Sequence, residues 1–375
     1  MTNDFPPRIG GIESFVALAC QFLDDDVAVL TSTAPGAAAW DAHLRFTVVR
    51  LPGPLLPTRS VGRAAIDLMR ASGADRVLFG AAAPLGLLAS SLRRAGAERI
   101  VALTHGHETW WASVPGARRL LRRIGDEVDV LTTISDYVTS RLAPALSDAG
   151  RAKMIRLPPP VDTGVFRPSE SPAGSFVPVS TADVETGTKA GVVAVGRMVR
   201  RKGFDTLITA WSMLALSGCQ LVLVGDGPQR RRLERQVGRL GLHDVVFTGP
   251  LDQIGVRTRL RQAAVFALPV RTGLGGLDAE GLGLAGLEAA ACGLPVVIGR
   301  SGGAPETVRH GRTGYVVDSD DPYELAARLR DLLVDPHRAA AMGRAGRSFV
   351  GEHFDADRAR RTLRAALGTP PAARV

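Results

Sequence analysis

Gly191-Val192-Val193-Ala194-Val195-Gly196-Arg197-Met198-Val199-Arg200-Arg201-Lys202-Gly203 is the stretch on which the fold turns. Its first six residues form an apolar run closed by glycines, the pattern of a strand buried on both faces. Beyond Gly203, Leu207, Ile208, Trp211 and Leu214 recur at helical spacing, so strand, basic loop and helix follow one another. In open α/β sheets ligands bind at the C-terminal ends of strands, which is where Arg197 and Lys202 fall. A guanidinium fork and a mobile ammonium suit a diphosphate, whose charge is spread over several oxygens. Lys202 is one of three lysines, with Lys153 and Lys189, in a chain that otherwise uses arginine. A lysine here points to a required point charge. Arg200 and Arg201 read as a solvated basic loop.

Downstream, a second apolar strand ends at Leu268-Pro269, and a helix runs into Ala289-Ala290-Ala291-Cys292-Gly293. Between them stand Glu280 and Glu288, with Gly281, Leu282 and Gly283 at the expected helix start. Free amides at a helix N-terminus can face an anion, and glycines allow close approach. One carboxylate is then placed to grip sugar hydroxyls and the other a ribose, with phosphates at the helix end. Two glutamates around an amphipathic helix start are also common surface features, so this spacing needs its companions.

The rest of the chain repeats the strand–helix alternation. Residues 27–30, 46–49, 76–79, 100–104 and 128–133 read as strands, with helices over 61–70, 85–94 and 117–124. A second series follows at 191–196, 220–225, 245–248, 264–268, 295–299 and 314–317. Helices at 322–334, 337–350 and 356–367 close the chain. This order implies an α/β protein with two doubly wound parallel sheets. Residues 1–168 form the expected first domain, 169–189 a Ser/Thr/Pro/Gly/Ala-rich linker or loose loop, 190–354 the second domain, and 355–375 a closing helix. A length of 375 residues suits two cores.

Composition narrows the partners. Cys20, Cys219 and Cys292 have neither disulfide nor metal spacing, which fits a reducing cytosol. No run of 18 apolar residues occurs, and no basic-then-apolar leader is seen. The net charge of +9 is compatible with nucleic acid, anionic lipid or anionic small ligands. Aromatics at 5% and the lack of a basic-aromatic stripe argue against nucleic acid.

Four further clusters carry chemistry. Gly10-Gly11 precedes a helix through Phe15, Leu18 and Ala19, either as a close phosphate approach or as a plain turn. His105-Gly106-His107-Glu108 ends an apolar strand, with no further ligands at zinc spacing. Trp110-Trp111 lead into a helix whose Arg118, Arg119, Arg122 and Arg123 make one basic stripe. That stripe either lies on anionic headgroups or is an ordinary solvated face. The loop Leu51-Pro52-Gly53-Pro54-Leu55-Leu56-Pro57 is apolar enough to dip into a bilayer. Finally, Asp24-Asp25-Asp26, Asp318-Ser319-Asp320 and Asp355-Ala356-Asp357 match a metal pattern formally, but their turn and helix-start settings read as caps.

Taken in order, Gly196-Arg197, Lys202-Gly203, Leu223 to Pro228, Phe247-Thr248-Gly249, Glu280 to Glu288 and Ser301 to Glu306 resemble the retaining, nucleotide-sugar-dependent glycosyltransferases of the GT-B fold. The segments Thr2 to Ile12, Phe79 to Leu85, Thr104 to Glu108, Leu121 to Asp126 and Asp278 to Gly283 narrow the likeness. They resemble actinobacterial GDP-mannose-dependent phosphatidylinositol monomannoside mannosyltransferases. The resemblance implies two Rossmann-like domains facing a central cleft, with the last helix crossing back onto the first. It implies GDP-mannose as donor, a phosphoinositide glycolipid as acceptor, and a cytoplasmic enzyme peripheral on the inner face of the membrane. Arg197 and Lys202 are then expected to hold the diphosphate without a metal, Glu280 the mannose and Glu288 the ribose. Gly10, Gly11 and Gly281 to Gly283 border the donor, and Val246 to Leu251 face the base. His107 lies over the transferred sugar, and Trp110, Trp111 and the arginine stripe meet the acceptor or the membrane.

Three departures from the family are visible. Glu13 replaces a common glutamine, which bears on the acceptor. Ala285-Gly286 replaces a bulkier pair, which opens an alternative of another sugar nucleotide or a soluble acceptor. Only Met1 stands where a first apolar strand is usual, so we expect a true start upstream. A non-catalytic nucleotide-sugar binder is the reading that the missing strand favours and the intact Arg197, Lys202, Glu280 and Glu288 oppose.

Overall fold

The computed structural model describes all residues except 9, 24–25, 170–189, 215, 217 and 370–375. The expected linker therefore lies, Ser169 apart, outside the described residues, as do Asp24 and Asp25. The chain divides into two compact units, Met1–Pro160 with Ala356–Val375, and Val161–Asp355.

In the first unit, β1 (Ala28–Ser32) pairs with β2 (Thr47–Leu51). A separate four-stranded sheet runs β3 (Arg76–Phe79), β4 (Arg99–Ala102), β5 (Val130–Thr133) and β6 (Met154–Arg156). All pairings are parallel. Met1 and Thr2 stand between the two sheets: the Thr2 amide donates to Leu30 O at 3.0 Å, and the Met1 amine to Leu78 O at 2.8 Å. The Gly80 amide returns a bond to Met1 O at 2.8 Å. The helix Ala356–Leu367 packs Leu363 and Leu367 against Phe15, Val101 and Leu103 in this unit's core. The chain leaves the unit at Pro160. Residues 161–168, assigned above to the first domain, are tied to the second: Arg347 donates to Thr163 O and Phe166 O, and Arg261 to Arg167 O.

The second unit holds one six-stranded parallel sheet in the order β12-β11-β10-β7-β8-β9. These strands are β7 (Ala190–Val195), β8 (Leu221–Val224), β9 (Val245–Gly249), β10 (Ala263–Leu268), β11 (Val296–Gly299) and β12 (Gly314–Val317). Every residue of β8, β11 and β12 is buried, as expected for strands covered on both faces, whereas β9 at the edge is half-buried. The order reverses at β7: β8 and β9 build outward on one side, and β10 to β12 on the other. Loops leaving the C-terminal ends of β7 and β10 therefore splay apart and leave a crevice. Both sequence stretches singled out above, Arg197–Lys202 and Asp278–Glu280, lie in those two loops.

Candidate active site

The loop after β7 tightens into a turn over Arg200–Lys202 and ends at Gly203, whose φ of 71° begins the helix Phe204–Ser212. A Cβ at Gly203 would lie 2.0 Å from Pro269 O, so glycine lets the two loops touch across the crevice. After β10 the chain makes a glycine-rich excursion closed by paired bonds between Gly273 and Asp278. It then delivers Glu280 opposite Lys202. Lys202 Nζ donates to Glu280 Oε2 at 2.7 Å, and Arg201 Nη1 donates to the same oxygen at 2.5 Å. Arg201 Nε also reaches Asp278 Oδ1 at 3.2 Å.

Arg201 thus departs from the solvated loop expected of it. Local reading missed its place in this cluster, because its partners stand 77 and 79 positions downstream. Arg200 is exposed. Arg197 is exposed at the mouth of β7, and among the described residues nothing pairs with its guanidinium.

Glu280 is held from behind as well. Its carbonyl accepts from the Gly303 amide at 2.8 Å, and its amide donates to Ser301 Oγ at 3.4 Å. A Cβ on Gly302 (φ 55°) would sit 2.0 Å from that carbonyl. The Ser301-Gly302-Gly303 turn after β11 is therefore the mould for the Glu280 backbone. Burial pushes the Glu280 carboxyl up, but the charges and hydrogen bonds of Lys202 and Arg201 outweigh it and hold the group below its ordinary range.

The helix begins at Leu284, with Gly283 as a left-handed cap (φ 98°) and no side chain closing its N-terminus. Its first amides stay available to an anion or water. Leu282 is buried and anchors the turn, while Gly281 leads into it. Glu288 lies one turn into this helix. No described residue donates to its carboxylate, and burial alone raises it to about 7. Val246 in β9 and Leu251 just beyond it lie at the edge of the same sheet, two strands from β7.

The residues predicted in the first unit form a separate group. Gly10 caps the helix Gly11–Gln21 with extended backbone, and a Cβ there would meet the Glu13 carboxylate at 2.2 Å. His105 Nε2 donates to Gly80 O at 2.5 Å, and burial holds its basicity below the ordinary value against the pull of Glu108. His107 is exposed, and its ring stacks on that of His105 with centroids 6.3 Å apart. Trp110 is exposed and meets Trp111 edge-on.

Of the arginine stripe, Arg118, Arg119 and Arg122 line a groove of about 340 Å³ with Ser113, Pro115 and Pro144. Arg118 Nη2 donates to Pro144 O at 2.5 Å. Arg123 instead pairs with Glu127 at 2.8 Å. The apolar loop exposes Pro52, Pro54 and Leu56, whereas Leu55 is buried, bonded through both its amide and its carbonyl to the Asn3 side chain. Asp321 caps the helix Pro322–Val334, and Asp318 accepts from the Asp320 amide, so this acidic run is used structurally.

Two parallel-sheet α/β units, one with a cation–carboxylate clamp at its sheet reversal, define a protein of the GT-B class. A family model described as glycosyl transferases group 1 matches residues 182–349. A GDP-mannose-dependent α-(1-6)-phosphatidylinositol monomannoside mannosyltransferase of Mycobacterium tuberculosis is 42% identical over 93% of this chain and 92% of its own. The protein of the same name from Mycolicibacterium smegmatis is 45% identical over 94% of each. The crystal structure of HepE from Anabaena, in complex with UDP and glucose, superposes with a TM-score of 0.80 at 17% identity, covering 98% of both chains. This chain belongs to the group 1 glycosyltransferases.

Proposed function

We propose that this protein is a retaining mannosyltransferase that moves mannose from GDP-mannose to the inositol 6-position of a phosphatidylinositol monomannoside. The observation that carries this reading is the 42–45% identity, over nearly the full length, to proteins named for that activity. The clamp at the β7/β10 crevice supports it with chemistry.

The donor's diphosphate is met by Arg197, by Lys202 and by the start of the helix that follows Gly281 to Gly283, whose N-terminus no side chain closes. These are fixed positive groups placed where negative charge grows as the sugar leaves. Glu280, ionised and rigidly backed by Gly302 and Gly303, takes hydroxyls of the mannose ring. Glu288 takes the ribose hydroxyls, and Val246 to Leu251 border the base. The acceptor hydroxyl attacks the anomeric carbon on the face from which the nucleotide departs. The new C–O bond forms as the C1–O(phosphate) bond breaks, the electron pair stays on the diphosphate, and a β-phosphate oxygen takes the hydroxyl proton. Configuration is retained without a carboxylate pair of glycosidase type.

Gly10, Gly11 and His107 are assigned to the reacting sugar and the acceptor phosphate. No described helix is long and apolar enough to cross a membrane. Arg118, Arg119 and Arg122 around their groove, with exposed Trp110 nearby in sequence, give the surface we assign to the anionic lipid.

The deciding assay incubates the purified protein with monomannosylated phosphatidylinositol and either GDP-mannose or UDP-sugars, and reads products by mass spectrometry. A dimannosylated lipid from GDP-mannose alone is expected. Transfer from UDP-sugars only, or GDP binding with no product, would overturn the reading.

A further inference from the structure

Glu108 opens the helix Glu108–Ser113 at the end of the His105-Gly106-His107 turn, and its side chain has no exposed surface. One oxygen is accounted for: Oε2 accepts from the His105 amide at 2.9 Å and the Gly106 amide at 3.2 Å. The other is not. Oε1 is buried and accepts no hydrogen bond among the described residues. A buried oxygen without a donor is costly, and the nearest candidate is His107 Nε2 at 3.3 Å. A small rotation of the exposed imidazole completes the bond. The stacked His105 cannot serve, since its Nε2 is committed to Gly80 O.

We propose that Glu108 is a positioning residue for His107. Its Oε1 takes the Nε2–H proton in a hydrogen bond, which fixes the ring and leaves Nδ1 as a bare acceptor for a substrate hydroxyl. A histidine's second nitrogen is set by what its first one bonds, so the buried acid chooses the tautomer. This rests on the role given to His107 above.

The geometry supplies a sharp variant. In Glu108→Gln the two backbone donors at His105 and Gly106 still require an oxygen. The carboxamide must therefore keep its O on them and turn its NH2 towards His107 Nε2. A donor then faces the nitrogen that had been donating, and the ring is driven to the Nδ1–H form with the fold unchanged.

The test is long-range proton–nitrogen NMR on histidine-labelled full-length protein, with the His107 signals assigned by their loss in His107→Ala. Wild type is expected to show Nε2–H, and Glu108→Gln to show Nδ1–H. Steady-state kinetics should show kcat reduced by at least about tenfold in Glu108→Gln, with KM for GDP-mannose unchanged. An Nδ1–H signal in the wild type overturns the proposal without recourse to any variant. So does wild-type kcat in Glu108→Gln when His107→Ala is impaired. Full turnover by His107→Ala would instead remove the role assigned to His107 itself, a separate failure.

Discussion

Glu280 and Glu288 are two carboxylates in one segment, and their surroundings push them in opposite directions. Glu280, in the loop after β10, is clamped by Lys202 and Arg201 and held ionised. Glu288, on the helix that follows, has no cation paired with it among the described residues, and burial lifts it to about 7. Desolvation is common to both, so the difference is the partner. A carboxylate whose charge is already matched is a fixed part of the site. One left without a donor gains most when a ligand brings hydroxyls to it.

The contrast can be broken most severely at its cationic side. Lys202→Ala is expected to abolish measurable transfer while thermal unfolding stays cooperative, because it removes charge from both the diphosphate and Glu280. Appreciable turnover in that variant would overturn the role of Lys202. Next comes Gly302→Ala. Its Cβ would collide with Glu280 O, so kcat should fall by roughly 10²-fold through displacement of the carboxylate. Unchanged kcat would show that Glu280 need not be held by that turn.

Glu288→Gln should be milder, raising KM for GDP-mannose by about tenfold with a smaller change in kcat, since a neutral amide still accepts from a ribose hydroxyl. A larger loss in kcat than in affinity would move Glu288 into the chemical step.

The smallest effect is the most diagnostic. Hydroxyl donors favour the charged form of Glu288, so GDP binding should lower its pKa from about 7 and release a proton at pH values below about 7. Affinity should climb with pH over that window and level off above it. Calorimetry in buffers of different ionisation enthalpy reads the release, which Glu288→Gln should erase. The same shift has a stability consequence. The unfolded chain ionises Glu288 from its ordinary value of 4.5, while the folded chain keeps it protonated up to about 7. Folding stability attributable to this group therefore falls across that interval and is constant above it. Glu280 has the opposite sign: its contribution is present above the ordinary carboxylate range and is lost as pH falls through its depressed value.

Much of the site could be read locally. The apolar run before Gly196 and the run ending at Leu268 are strands because they lack polar alternation, and the glycines after them mark turns. Glu280, Gly283 and Glu288 fell on the elements that their spacing indicated. What local reading misjudged was side-chain company. Arg201 looked like a solvated neighbour of Lys202, yet it bridges Asp278 and Glu280. Leu55 looked free to enter a bilayer, yet Asn3 binds it on both sides. The four arginines of the helix looked equivalent, yet Glu127 takes Arg123 away from the groove. β6, three residues long, and the helix Asp136–Leu142 gave no periodicity long enough to notice.

By itself the sequence determined the alternation of strands and helices, the basic turn after one buried strand and the paired glutamates after another. Those depend on hydrophobic period and on the backbone freedom of a few glycines, which act over neighbouring residues. Only the tertiary structure decided that β7 and β10 are adjacent at the reversal of the sheet, that Arg201 closes on Glu280, and that Glu288 and the second oxygen of Glu108 have no donor among the described residues. Such facts depend on which groups meet after the chain has crossed over, and desolvation and pairing are set by that meeting.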